Sequence, residues 1–202
     1  MHFVSIDTET DFDGAAENEK GDSGIFAAGQ FAPPGTYLAW LESDLQAAAA
    51  NPEVKWIFAA GHRPFTTFNS TQVDELFVKY GVSMYFAGHS HSYSRFSASA
   101  HSGVTTHITV GGAGCDEMLY AVDNPTPGLH TGNTCANWAS YEFPPHNLKK
   151  NKLETCEGAE FFTDAYAIGK LRIEDFGRGD VKWELYSSID GSVLDSVSLK
   201  QK

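Results

Sequence analysis

Three histidines fall where imidazole nitrogens can converge on a metal ion. His62 closes the run Ile57-Phe58-Ala59-Ala60-Gly61-His62, and His89-Ser90-His91 follows Met84-Tyr85-Phe86-Ala87-Gly88. Both runs have the length and apolarity of a buried strand. Ligands of open α/β sheets collect at the carboxyl ends of such strands. Side chains at i and i+2 of a strand share a face, so extended geometry would turn His89 and His91 the same way. The small Ser90 between them leaves both rings room. Gly61 and Gly88 suit a tight turn or a close backbone approach. Neutral imidazole is a common ligand of zinc, iron and manganese. A histidine taken singly is more often a hydrogen-bonded surface or core residue. Two Gly-His strand exits, one of them His-x-His, favour the metal reading for these three. His2, His101, His107, His130 and His146 lack partners at ligand spacing and read as ordinary.

The surrounding elements explain how such residues would be positioned. A strand-like run opens the chain at His2-Phe3-Val4-Ser5-Ile6, with no leader or turn before it, an odd place to begin a domain. Residues 13–35 are rich in Gly, Ala and acids, end in Pro33-Pro34-Gly35, and predict a long loop. From Thr36, read as an N-cap, Leu38, Leu41, Leu45 and Ala48 repeat at helical spacing up to Asn51-Pro52. Val54–Ala60 predicts a buried strand. Ser70 or Thr71 can cap a second helix, with Val73, Leu76, Phe77 and Tyr80 as its stripe and Gly81 as its stop. Val82–Ala87 predicts the next strand. This strand, helix, strand order implies an α/β layer of parallel strands whose carboxyl ends face one way. Residues 115–160 show little periodicity and read as an irregular insertion. The tail returns to strands at Tyr166–Glu174, Val181–Ser187 and Val193–Leu199, separated by turn signals, as an antiparallel meander.

Composition narrows the partners. With 42% apolar residues in 202, the chain can bury a core, so one globular domain is the starting expectation. The formal charge of −12 argues against a nucleic-acid backbone as ligand, because such binders carry a basic footprint. No stretch approaches the roughly 18 apolar residues of a membrane span, and Met1–Asp7 lacks the regions of a signal peptide. Cys115, Cys135 and Cys156 have no CxxC spacing, which disfavours a zinc knuckle and allows one disulfide with a spare thiol. The sequon Asn69-Ser70-Thr71 matters only if the protein is secreted. Gly111-Gly112-Ala113-Gly114 lacks the Lys-Ser/Thr end of a phosphate loop and reads as a plain turn. Arg63 and Arg95 could face phosphate, but an ion pair is the commoner fate of such arginines.

The two histidine motifs also carry a family resemblance. Ile57-Phe58-Ala59-Ala60-Gly61-His62-Arg63-Pro64 resembles the fourth metal motif of purple acid phosphatases, a buried strand ending in GHRP. Gly88-His89-Ser90-His91-Ser92-Tyr93-Ser94-Arg95 resembles their fifth, GHxHxYxR. GHxH by itself marks the broader calcineurin-like metallophosphoesterases. The GHRP form, the trailing tyrosine and arginine, and the opening Phe3-Val4-Ser5-Ile6-Asp7-Thr8-Glu9-Thr10-Asp11-Phe12 narrow it. The tail segments Ala167-Ile168-Gly169-Lys170-Leu171 and Val181-Lys182-Trp183-Glu184 are similar to the closing strands of that family. The resemblance covers nearly the whole chain but only the second half of the family's catalytic domain.

That resemblance implies a fold and a chemistry. The fold is α/β, part of a four-layer α/β/β/α metallophosphoesterase sandwich with a C-terminal antiparallel meander. It is divided as an α/β metal-ligand part over 1–111, an irregular insertion over 112–162 and the meander over 163–202. The family hydrolyses phosphate monoesters with Fe(III) beside a divalent Fe, Zn or Mn, about 3.5–4 Å apart. Carried over, His62 and His89 would bind the divalent metal and His91 the ferric ion. The other ligands belong to the motifs DxG, GDxxY and GNH, and none precedes the histidines here. Asp175-Phe176-Gly177 spells DxG but lies after GHxH, in the meander. Gly21-Asp22 and Gly179-Asp180 lack the following tyrosine, and Gly132-Asn133 is followed by Thr134. Phe65-Thr66-Thr67-Phe68-Asn69 stands where many members carry substrate-orienting histidines. The expectation is therefore an acid phosphatase half-site, inactive by itself, from a parent that the resemblance makes secreted. The rivals are a fragment of a calcineurin-like phosphodiesterase or nucleotidase, and a non-catalytic metal-binding or interaction module. In protein from an oxidising compartment, mass mapping without reductant should find at most one disulfide, within the insertion; three free thiols would contradict this.

Overall fold

A computed structural model of the chain describes residues 1–8, 35–66, 71–90, 92–100, 102–112, 158–163, 165–175 and 179–200. His91, His101, His130, His146, the three cysteines, Asn69, Gly177 and nearly all of the expected loop and insertion lie outside these residues. The described residues form two compact units: Met1–Gly88 with Ser97–His107, and His89–Phe96 with Ile108–Lys202.

The first unit is built on three parallel strands. β1 (His2–Ser5) pairs with β2 (Ile57–Ala60) in the register His2 to Ile57 and Ser5 to Ala60. β2 pairs with β3 (Met84–Ala87) in the register Phe58 to Met84 and Ala60 to Phe86. β2 and β3 are shorter than the apolar runs that announced them, because Val54 is used in a turn onto the Asn51 carbonyl and Val82 in one onto the Phe77 carbonyl. Helices α1 (Thr36–Ala50) and α2 (Thr71–Tyr80) supply the crossovers and pack on the sheet. Leu41, Leu45 and Ala48 of α1 and Val73 and Phe77 of α2 meet Val4, Ile57, Ala59 and Tyr85 in one core. Leu41 and Leu45 are wholly buried, each worth about 1.5–3 kcal/mol by area removed from water. The helix cap differs from expectation. It falls on Gly35, whose left-handed φ of 78° no β-carbon opposes and whose carbonyl accepts the Ala39 N–H, so Thr36 is already inside the first turn. Gly81, at φ 72°, ends α2 as the sequence predicts.

The second unit holds two antiparallel pieces. β4 (Tyr93–Phe96) pairs with β6 (Phe161–Thr163), Tyr93 opposite Thr163 and Arg95 opposite Phe161. Neither strand is evident in the sequence, since each is short and β4 mixes polar and apolar residues. β5 (Thr106–Val110) is divided between the two units, and its Thr106 N–H donates to the Ser83 carbonyl at 3.0 Å within the first. The expected meander is present as β7 (Ala167–Asp175), β8 (Asp180–Ser187) and β9 (Val193–Leu199), with bulges between Ile173 and Asp175 and between Leu185 and Tyr186.

Gly169 in β7 serves a packing purpose, because a β-carbon there would run into the Trp183 ring. Gly169→Ala should therefore cost about 1–3 kcal/mol of overpacking, despite the gain in strand propensity. Chemical denaturation read by Trp fluorescence checks this; an unchanged midpoint would mean that the ring has room to move.

Candidate metal centre

The exits of β1, β2 and β3 are held together by backbone hydrogen bonds that continue past the strands. Ile6 N–H donates to the Ala60 carbonyl at 2.7 Å, Gly61 N–H to Phe86 at 3.0 Å, and Gly88 N–H to His62 at 3.0 Å. The last bond sets the main chain of one Gly-His motif directly against that of the other. Side chains complete the frame. The Arg63 N–H donates to Thr8 Oγ1 at 2.9 Å, Tyr85 Oη donates to the Arg63 carbonyl at 2.6 Å, and Tyr37 Oη donates to the Asp7 carbonyl at 2.8 Å. Burial pushes the Tyr85 phenol far up, so it stays a donor. Thr8 and Tyr85 are almost completely buried, whereas His62 stands exposed at the exit.

Gly61 is required by this frame. A β-carbon on it would lie 2.6 Å from Thr8 Cγ2 and 2.6 Å from Tyr85 Oη. The close approach anticipated for a glycine before the histidine is thus real, and its cause is the packing of two neighbouring exits. At Gly88 the nearest atom to a β-carbon is the His62 carbonyl, at 3.9 Å, so crowding is not the reason for glycine there.

His89 departs from strand geometry. β3 stops at Ala87, and His89 has φ 60°, the one non-glycine with positive φ among the described residues. Ser92 N–H closes on the Ser90 carbonyl at 2.7 Å before β4 begins. His89 therefore does not continue the pleat of β3, whose backbone ladder ends with the Gly88 bond. A left-handed histidine costs on the order of 1 kcal/mol and persists only where its surroundings over-determine it. His62 belongs to the first unit and His89 to the second. No three His, Cys, Asp or Glu side chains among the described residues, which exclude His91, gather as a metal site.

The tyrosine and arginine of the second motif are engaged inside the protein. Tyr93 Oη donates to Asp195 Oδ2 at 2.7 Å, Arg95 Nε to the same oxygen at 2.7 Å, and Arg95 Nη2 to Oδ1 at 3.0 Å. Trp183 Nε1 donates to Tyr93 Oη at 3.0 Å, and Arg95 Nη1 reaches Glu160. The Asp195 hydrogen bond is the main cause that raises Arg95 further, and burial, followed by Asp195, raises Tyr93. Arg95 thus takes the ion-pair role rather than facing phosphate. The sequence reading missed Asp195, although a signal existed: this carboxylate stands in phase with Val197 and Leu199, at an inward position of β9. Gly112 likewise proves structural, its carbonyl accepting the Ala167 N–H at 3.0 Å. His2 bonds Asp44 at 2.7 Å, and His107 is buried against Phe65 and Tyr85, with Nε2 3.9 Å from Asp74.

Known proteins resemble this chain in sequence and in fold. A family model described as calcineurin-like phosphoesterase matches residues 10–93, a span containing both Gly-His motifs. The chain is 26% identical over 209 residues to acid phosphatase A of Cryphonectria parasitica, covering 98% of this chain and 37% of that one. It is 28% identical over 234 residues to an acid phosphatase of Aspergillus ficuum, covering 98% of this chain and 36% of the relative. It therefore spans little more than a third of the length of these relatives. Among solved structures, a purple acid phosphatase isolated from yellow lupin (Lupinus luteus) seeds matches with a TM-score of 0.52 at 20% identity, over 82% of this chain and 28% of that chain. This likeness shows the α/β metallophosphoesterase fold that the motifs implied.

Because Thr8, Gly61 and Tyr85 hold the β1 and β2 exits together, Gly61→Ala should lower stability by about 1–3 kcal/mol. Urea unfolding followed by circular dichroism measures it, with Gly103→Ala as a comparison that meets no neighbouring atom but has an unfavourable φ of 78°. If Gly61→Ala left the unfolding midpoint unmoved, the close packing of the exits would be wrong.

Proposed function

We propose that this purple acid phosphatase-like metallophosphoesterase chain carries the histidine side of a two-metal centre for phosphate monoester hydrolysis. His62, His89 and His91 are its metal ligands. The observation that carries the reading is the pair of Gly-His exits on adjacent parallel strands, tied by the Gly88 to His62 backbone bond, with His89 held in the left-handed region. Strain of that kind concentrates at ligand sites. The donor set suits the metals: uncharged imidazoles favour Zn, Fe or Mn. It suits an ion pair less well, since a bridging carboxylate and a tyrosinate are not among these three residues.

In a complete centre the two ions would lower the pKa of a bound water and polarise a phosphoryl oxygen. This chain's contribution is to hold imidazoles on a hydrogen-bonded backbone frame. The Gly88 to His62 bond fixes the two motifs in register, and the Thr8, Tyr85 and Tyr37 side chains give the Arg63 N–H, the Arg63 carbonyl and the Asp7 carbonyl their partners. The remaining ligands would come from the motifs DxG, GDxxY and GNH. The resemblance to acid phosphatases supports a phosphate monoester as the substrate class and a secreted parent protein. It also favours Fe(III) with divalent Fe, Zn or Mn as the pair of the complete centre.

The purified chain should therefore bind about one zinc ion weakly and turn over no aryl phosphate. Isothermal titration should show His62→Ala and His89→Ala each weakening zinc at least about tenfold, since losing even a residue that only supports a ligand costs about 10–100-fold. His2→Ala, which removes a ring bonded to Asp44, should not. Two bound metals with turnover, or a purple absorbance band, would overturn the incomplete-centre reading. Zinc affinity insensitive to His89 would overturn the site.

A further inference from the structure

We propose that Asp7, at the exit of β1, is a positioning residue for the His62 imidazole: its carboxylate accepts the ring Nδ1–H and leaves Nε2 for the metal. This rests on the metal reading above.

The ladder between β1 and β2 runs on past the last residues of both strands, within the first unit. His2 N–H donates to the Trp56 carbonyl at 2.8 Å, and Ile6 N–H donates to the Ala60 carbonyl at 2.7 Å with the same stagger. Phe3 lies opposite Phe58 and Ser5 opposite Ala60. The register that the Ile6 bond continues therefore sets Asp7 opposite His62. Beyond this pair, Thr8 Oγ1 accepts the Arg63 N–H at 2.9 Å, so the alignment is kept on both sides of it. Tyr37 Oη, bonded to the Asp7 carbonyl at 2.8 Å, fixes the Asp7 backbone as well.

The two side chains also share a face. Val4, Ile6 and Thr8 are buried, whereas Phe3, Ser5 and Asp7 are exposed, so the strand alternation persists through the exit. A β-carbon on Gly61 would lie 3.2 Å from Ile6 Cγ1 and 2.6 Å from Thr8 Cγ2, which puts that position on the core side. His62, the next residue, turns to the opposite side, the one Asp7 takes, and both are exposed. Facing strands stand about 4.7–4.9 Å apart. At that spacing a carboxylate oxygen of Asp7 is level with Nδ1 of the opposite ring, and Nε2 projects further from the chain. An acceptor beside Nδ1 draws the proton there from Nε2, where a neutral histidine side chain in water mostly carries it, and frees the outer nitrogen. A carboxylate in this place also fixes the ring orientation and raises the basicity of the ligating nitrogen.

The test reads the His62 tautomer by nitrogen NMR of metal-free protein at about pH 8.5, well above the ordinary imidazole pKa of about 6.5. Wild-type protein should carry the proton on Nδ1, and this observation needs no variant to fold. Asp7→Ala should move it to Nε2, whereas Asp7→Asn, which keeps an acceptor oxygen, should leave it on Nδ1. Zinc should bind about 10–100-fold more weakly to Asp7→Ala, and less weakly to Asp7→Asn. Asp44→Ala removes an equal charge from the same unit, beside His2, and should leave zinc unchanged. If zinc affinity does not depend on His62, the metal reading fails, while the tautomer still decides whether Asp7 orients the ring. An Nε2 proton in wild-type protein, or the same tautomer in Asp7→Ala, would overturn the proposal. So would equal weakening by Asp44→Ala, which would reduce the effect to net charge.

Discussion

The hydrogen-bond ladder joining β1, β2 and β3, and continuing beyond them to Gly88 and His62, is the constraint from which the rest of the first unit follows. Parallel strands need crossovers, and α1 and α2 supply them while covering the sheet with Leu41, Leu45, Val73 and Phe77. Because all three strands run one way, their carboxyl ends emerge together, and residues distant in sequence meet there. The backbone at these exits would be orphaned where the ladder stops. Thr8, Tyr85 and Tyr37 supply partners to the Arg63 and Asp7 backbone there.

The second unit depends on a different interaction, a buried carboxylate that collects three donors. Removing two charges from water is costly, and such clusters often add little net stability compared with apolar packing. Their value lies in geometry. Asp195 accepts from the Arg95 fork and the Tyr93 phenol at once, so β4 has one arrangement that satisfies all of them. The tyrosine and arginine that trail the second histidine motif are therefore structural residues of this chain.

The same reasoning accounts for the glycines around the motifs. Gly61 gives room to Thr8 and Tyr85, Gly169 gives room to Trp183, and Gly112 leaves space beside the Ala165 carbonyl. Thr8, Tyr85 and Trp183 also make hydrogen bonds that hold an exit or a strand in place. Around Gly61 and Gly169, packing and hydrogen bonding act on the same few side chains.

Much of this was legible in the residues themselves. Hydrophobic periodicity located α1, α2 and the meander, because burial of one face is a local property of the chain and repeats at 3.6 or 2 residues. The paired Gly-His exits were visible because a metal-binding residue type recurred after two runs of buried-strand length. The short strands β4 and β6 were not, since four and three residues carry too little pattern to separate them from loop. The conformation of His89 was also hidden. Its φ of 60° reflects where the ladder to His62 ends, whereas the motif suggested an extended strand. Asp195 shows the division most plainly. The sequence by itself determined that an acid stands in an inward phase of β9; only the tertiary structure decided its partners, by bringing Tyr93 and Arg95 to it across about a hundred residues. Periodicity is written in neighbouring residues, but the pairing of buried charges depends on how distant strands come together.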